Sequence, residues 1–161
     1  MQPKKLTLEL GLLPLCTDNQ LKYMKGNYTT KARLMRASIQ QALVPHRNRI
    51  KRFFTKRVRA WVQETGLAVC YTLEHEVRIF RNKAGDISMR KGDATNYIKG
   101  LNDFIFNKTS NCPNSIMIDD RFITCCTMLQ KEGDRKGLTY PVTFVTVDIY
   151  IREVPSDYKV N

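Results

Sequence analysis

The chain has 161 residues, 42% of them hydrophobic, and carries 27 Lys and Arg against 15 Asp and Glu, a formal net charge of +12. That length suits one domain with its own core, and the hydrophobic share places it among globular chains. No apolar run approaches the roughly 18 residues of a membrane span, so a membrane-spanning protein is excluded from the reading and no membrane partner is expected.

Leu6, Leu8 and Leu10 alternate near the start and predict a first strand over residues 6–10. Glu9 inside this stretch and Pro14 at its end read as a strand and not as a signal peptide. Residues 14–28 read as a loop broken by Pro14, Asp18, Asn19 and Gly26. Residues 30–43 follow helical spacing with Met35, Ile39, Ala42 and Leu43 on one face. Pro45 interrupts, and residues 47–63 resume a helical pattern through Ile50, Phe54, Val58 and Trp61. From Asn19 to Gln63 there is no acidic residue, while the segment holds twelve Lys and Arg, enough to account for the whole net charge. A solvated face normally mixes signs. A one-sign stretch points to a polyanion, with nucleic acid ahead of an acidic lipid surface or an acidic protein.

Beyond Gly66, alternation from Leu67 to Ile79 predicts one long strand, with a turn over residues 82–85 and a short return strand over 87–90. Residues 94–107 return to helical spacing at Ala94, Ile98, Leu101 and Ile105. A loop over 108–115, a strand over 121–130, a turn over 132–137 and a last strand from residue 142 complete the chain. Helices and strands interleave without strict β-α-β order. The expected fold is therefore α+β, a single domain with a mixed sheet packed by helices. The five cysteines, Cys16, Cys70, Cys112, Cys125 and Cys126, contain no C-x-x-C pair, and His46 and His75 stand at no zinc-like spacing to them. They read as free thiols of a reducing, cytoplasmic compartment. His75, between Glu74 and Glu76, points away from both on a strand and is expected to be a buried or paired histidine. Tyr23, Tyr28, Phe53 and Trp61 are candidates for stacking on unpaired bases, although packing accounts more simply for Phe53 and Trp61.

Two carboxylate clusters carry the chemistry. Asp93, Asn96, Lys99 and Asp103 follow at helical intervals, with Asp93 near a helix start and Lys99 and Asp103 spaced to pair at i,i+4. An exposed, self-paired surface helix explains this cluster taken alone. Asp119 and Asp120 then open an apolar stretch, where acidic pairs are awkward to bury without a cation. Carboxylates converging from two elements suit Mg²⁺, with Mn²⁺ as a substitute, and a nearby lysine suits a scissile phosphate.

The series Asp93-x-x-Asn96-x-x-Lys99-x-x-x-Asp103, followed by Asp119-Asp120, resembles the core of the RusA family of Holliday junction resolvases. That core usually reads Asp-x-Asp-Asn-x-x-Lys-x-x-x-Asp with a later Asp-Asp pair. The likeness extends to PLCTDNQ with Asn19, to GNYTTKARLMRASIQQAL, to Lys131 and to the closing VDIYIRE. It implies one RusA-like domain over residues 1–161, acting as a Mg²⁺-dependent endonuclease that nicks four-way or branched DNA in pairs as a homodimer, in a bacterial or phage-infected cytoplasm. By position it implies Asp93 and Asp120 as metal-binding carboxylates, Asp119 assisting and Lys99 as the catalytic lysine. Asn96, Asp103 and Lys131 take supporting places, and Asn19, Arg90, Lys91 and Asn96 face DNA. Two departures stand out. Thr95 occupies the place of the second core aspartate, which leaves Asp119, Glu74 or Glu76 to compensate; the two glutamates read more simply as exposed strand positions. A basic insertion around residues 45–63 adds Arg47, Arg49, Lys51, Arg52 and Lys56 as phosphate contacts, on a helix packed by Phe53, Phe54, Val58 and Trp61. A junction-binding protein with weak or no cleavage, because of Thr95, is the alternative.

Overall fold

The computed structural model describes residues 4–22, 27–107, 111–133 and 142–161. Tyr23, Lys25 and Gly26, the first part of the 108–115 loop and most of the 132–137 turn lie outside the described residues.

Four strands form one mixed sheet: β1 (Lys4–Pro14), β2 (Leu67–His75), β3 (Ile123–Glu132) and β4 (Val142–Ile151), in the order β1-β4-β2-β3. β4 runs antiparallel to both β1 and β2, and β3 runs parallel to β2. The α+β expectation holds. The first strand is longer than its alternation suggests, because a bulge between Glu9 and Gly11 resets its phase. Leu6, Leu8 and Leu10 are buried before it and Leu13 after it, while Leu12 turns outward at 45% exposure. Gly11 supplies the positive φ of +77° that the bulge requires.

α1 (Thr30–Leu43) matches its expected bounds. Thr29 caps it by accepting from the Ala32 amide, and Ala32, Met35, Ile39 and Leu43 form the buried stripe. Buried Gln40 is fully engaged: its Nε2 donates to the Phe104 carbonyl and its Oε1 accepts from the Asn114 amide. This ties α1 to α5 (Ile98–Ile105). Gly100 makes the approach close, since a Cβ there would lie 3.1 Å from Leu21 and 3.2 Å from Met35.

Three expectations are corrected. Residues 47–63 are not one helix. α2 (Arg47–Phe53) stops where Phe54 leaves helical dihedrals, and α3 (Lys56–Thr65) restarts with Thr55 accepting from the Val58 amide. The long strand ends at His75, and Val77–Phe80 form a one-turn helix, α4. Residues 87–90 form no return strand; Ile87 makes only an isolated bridge with Arg81.

All helices of the core pack on one sheet face, where Leu8, Val69, Tyr71, Leu73, Val145, Val147 and Ile149 meet Met35, Ile39, Leu101 and Phe104. The opposite face carries Thr7, Thr72, Thr146 and Asp148 at partial exposure. Among the described residues, no helix is long and apolar enough to cross a membrane. All five cysteines are free thiols.

Candidate nucleic-acid interface and carboxylate cluster

α5 is the axis of the site. Helical spacing brings Lys99 and Asp103 together as the sequence predicts, with Nζ 3.2 Å from Oδ2. The Asp103 carboxylate raises the Lys99 ammonium above its ordinary range, and Tyr28 and Asp120 add to the effect. Asp103 also accepts from Asn107 Nδ2 at 3.2 Å. Lys99 therefore stays a cation, held at one end by a carboxylate and open to solvent at the other.

The fold adds a residue that sequence reasoning passed over. Asp18 sits on the 3-10 turn Asp18–Gln20, which packs against the start of α5. Burial pushes its carboxyl above the usual range; the amide of Gly100 and the charge of Lys99 pull it back, and Asp103 opposes them. Its Oδ1 is buried with no hydrogen-bond partner among the described residues. The one signal in the sequence was its place beside Asn19, which is exposed on the same turn.

Asp119 and Asp120 lie just before β3, on a 3-10 turn and not on the strand itself. Asp119 caps that turn, accepting from the Arg121 amide at 3.0 Å, and pairs with Arg121 Nε at 3.4 Å. Asp120 is exposed, and its carboxylate makes no hydrogen bond or ion pair with the described residues. The loop before them is fixed from α3. Half-buried Arg59 donates to the carbonyls of Ile116 (2.9 Å), Met117 (3.1 Å) and Phe54 (3.1 Å). Desolvation lowers the Arg59 pKa from its ordinary value. A cleft of about 430 Å³ opens here, lined by Arg59, Gln63, Asn107, Asp119, Arg121 and Phe122. A polar line thus runs by side-chain bonds from Lys99 through Asp103 to Asn107, and Asn107 shares this cleft with Asp119.

Asp93 is held apart from this line. It precedes the 3-10 turn Ala94–Tyr97, is exposed, and makes no side-chain bond to the turn; Thr95 is exposed and Asn96 half-buried. The amides of Ile116 and Ile118 donate to Ile105 and Phe106 at the far end of α5. Asp93 and the Asp119–Asp120 loop therefore flank opposite ends of a helical segment roughly 20 Å long at ordinary helical rise. Among the described residues no three His, Cys, Asp or Glu side chains come together to hold a metal ion. Asp93, Asp119 and Asp120 do not form a closed ligand set.

Lys131 is also elsewhere. It pairs at 3.4 Å with Glu74, whose neighbours Leu73 and His75 face the helices, so both lie on the opposite sheet face. Glu74 is 7% exposed and Glu76 half-buried beyond the strand, which corrects their expectation as exposed strand positions. His75 is buried as expected: Nδ1 lies 3.1 Å from Thr143 Oγ1 and Nε2 2.7 Å from Gln130 Oε1. Burial holds its pKa below the ordinary value.

Arg47, Arg49, Lys51, Arg52 and Lys56 are all exposed on α2 and the first turn of α3. Among the described residues, the cations from Lys22 to Arg59 form no ion pair with a carboxylate. Their bonds go instead to carbonyls, as Arg33 to Tyr28, Arg52 to Asn48 and Arg57 to Pro155. The positive field of this surface is left uncancelled. Arg90 and Lys91 add exposed and half-buried cations just ahead of Asp93. Phe53 packs edge-on against Phe54, and Trp61 against Tyr158 with its Nε1 donating to the Arg152 carbonyl. Tyr28 packs edge-on against Phe104. Compared with known proteins, the chain matches no family model and no curated protein sequence.

Proposed function

We propose that this protein is a metal-dependent, structure-selective endonuclease acting on four-way or otherwise branched DNA, in the manner of the RusA resolvases its core residues resemble. The observation that carries the reading is the link through Arg59. Arg59 of α3, the helix that directly follows the exposed cations of α2 and itself begins with exposed Lys56, is bonded to the loop that leads to Asp119 and Asp120. A strand held on those cations by counterion release has its phosphates beside the carboxylates.

Mg²⁺ fits a split arrangement better than a closed one, because it keeps several waters and takes one or two protein carboxylates together with substrate phosphate oxygens. Asp93 and Asp120, whose carboxylates make no hydrogen bond or ion pair with the described residues, would each hold such an ion at its own end of the helical segment, because that length rules out one shared ion. When bound, such an ion supplies Lewis-acid activation of water and of the phosphate. Lys99, kept charged by Asp103, offsets negative charge on the phosphate. Arg47, Arg49, Lys51, Arg52 and Lys56 bind the arms of the substrate. Paired nicks on opposed strands require two such sites, supplied by a homodimer.

A second reading is favoured by the distance between Asp93 and Asp120 and by Thr95: a protein that binds junctions without cutting them efficiently. Incubation of a labelled four-way junction with Mg²⁺ or Mn²⁺ separates the two. Cleavage lost in Asp93→Asn and Asp120→Asn, with binding in EDTA retained, supports the endonuclease. Binding without cleavage at any metal concentration, with activity gained in Thr95→Asp, establishes the second reading. No preference for a junction over linear duplex at matched salt sinks both.

A further inference from the structure

Junction binding and cleavage draw on α2, α3 and the carboxylates along α5. They leave unused a second cleft of about 430 Å³ near Asp93, a size ordinary for a small-molecule site. The floor is His75 and Thr143, whose polar atoms already satisfy each other at 3.1 Å. Tyr97 and Ile79 form apolar walls, and the Tyr97 hydroxyl is taken up by the Gly92 amide at 3.0 Å. The interior therefore asks no specific hydrogen bond of an occupant.

The mouth is different. Leu34, on α1, is 57% exposed and lines the cleft. Lys31, one turn earlier on the same helix, and Arg90, from the segment ahead of Asp93, bring two cations to it from separate elements. A flat apolar body carrying an anionic group matches this lining. The cleft also opens beside Gln20, on the turn that carries Asn19, so a strand passing Asp93 runs by its mouth.

We propose that the cleft receives one unpaired nucleotide of the bound strand, its base against Leu34, Ile79 and Tyr97 and its phosphate on Lys31 and Arg90. The inference rests on the nucleic-acid reading above and deepens it. Removing a base from a stack costs least where the base is already unpaired, as at a branch point or bulge. A site of this kind selects branched over linear DNA without reading sequence, because every base has an apolar face.

The test uses the full chain with two probes. Adenosine 5′-monophosphate, followed by NMR, is expected to shift resonances of Leu34, Ile79 and Tyr97. Fluorescence anisotropy then compares a duplex carrying one unpaired adenine with the fully paired duplex. Leu34→Ser is expected to weaken binding of the first by about 5-fold or more and to leave the second unchanged. Lys31→Gln is expected to weaken the first more than the second. Leu34 is exposed, so its replacement leaves the fold intact. If the mononucleotide shifts none of the three resonances, the cleft is not a nucleotide site and the inference falls. If it shifts them but Leu34→Ser leaves the preference for the unpaired base unchanged, the strand assignment falls while the endonuclease reading stands. If the mononucleotide binds and no form of the protein binds DNA, the endonuclease reading falls and the cleft serves a free nucleotide.

Discussion

Replacing Arg59 by Ala tests how the site is held together. Met117 adopts a positive φ of 60°, the only non-glycine to do so among the described residues. A left-handed conformation costs such a residue roughly 1–2 kcal/mol. Arg59 Nη1 bonds the carbonyls on both sides of that strained unit, Ile116 at 2.9 Å and Met117 at 3.1 Å, while Nε holds Phe54 at 3.1 Å. A bond from a charged donor contributes about 1.5–3 kcal/mol in favourable burial, and half-buried groups contribute less. Two partly buried bonds and one exposed one then amount to roughly 2–3 kcal/mol. For a chain of this size about 1 kcal/mol moves Tm by about 2–4 °C, so Arg59→Ala should lower Tm by roughly 4–12 °C. Thermal unfolding followed by circular dichroism measures it, with Arg52→Ala as a matched loss of an exposed cation, expected to shift stability by less than about 0.5 kcal/mol. Met117→Gly should be neutral or slightly stabilising, since relief of strain offsets the added freedom of the unfolded chain. Equal Tm values for Arg59→Ala and Arg52→Ala would refute the view that the guanidinium anchors the Asp119–Asp120 loop.

Gly66 has φ +74°, and a Cβ there would collide with Thr124 Cγ2 and sit 3.0 Å from the Phe122 carbonyl. Gly66→Ala should cost about 2 kcal/mol or more by chemical denaturation, because left-handed strain adds to crowding against a backbone carbonyl that cannot withdraw. Tyr71 is fully buried and its hydroxyl donates to Asn102 Oδ1 at 2.6 Å. Tyr71→Phe strands that acceptor and should cost about 1–2 kcal/mol in the same assay. The imidazole of His75 has a depressed pKa in the folded state, so the unfolded chain binds the extra proton first. Its contribution is fully present above the unfolded value of about 6.5 and is lost as pH falls below it. Tm between pH 7.5 and 5.5 should fall less steeply in His75→Gln than in the wild type; equal slopes would show that burial of His75 has no linkage to stability. Neutralising Arg47, Arg49, Lys51, Arg52 and Lys56 together should flatten the plot of log K for duplex binding against log salt by about 0.9 for each phosphate no longer neutralised. An unchanged slope would place the nucleic acid on another surface.

How much of this was legible in the sequence depended on whether a pattern had one physical solution. Residues 30–43 did, because Met35, Ile39 and Leu43 keep one helical stripe and Thr29 supplies a cap oxygen. Val77 and Ile79 did not: two residues apart, they fit a strand's alternation, yet one turn of helix also satisfies them. Phe54 continues the apolar stripe of α2 into α3, so periodicity alone ran through the break, although Thr55 stood ready as a cap for the restart. The Lys99–Asp103 pair was legible for the same reason as α1, since helical geometry turns a spacing of four into a contact. That geometry also works against a compact metal site. A helix converts sequence spacing into length, so Asp93 and Asp103 cannot share a cation however well their spacing matches a motif; they lie roughly 15–20 Å apart along the helical path. Beyond Asp103, the carboxylates that act on Lys99 come from outside its own helix: Asp120 from the turn before β3, and Asp18 from the turn after β1. Neither approach is encoded in a local pattern. Each follows from the packing of β1 and β3 at the two sides of the sheet, with α5 lying against their shared face, which brings residues about a hundred positions apart in the chain to one lysine.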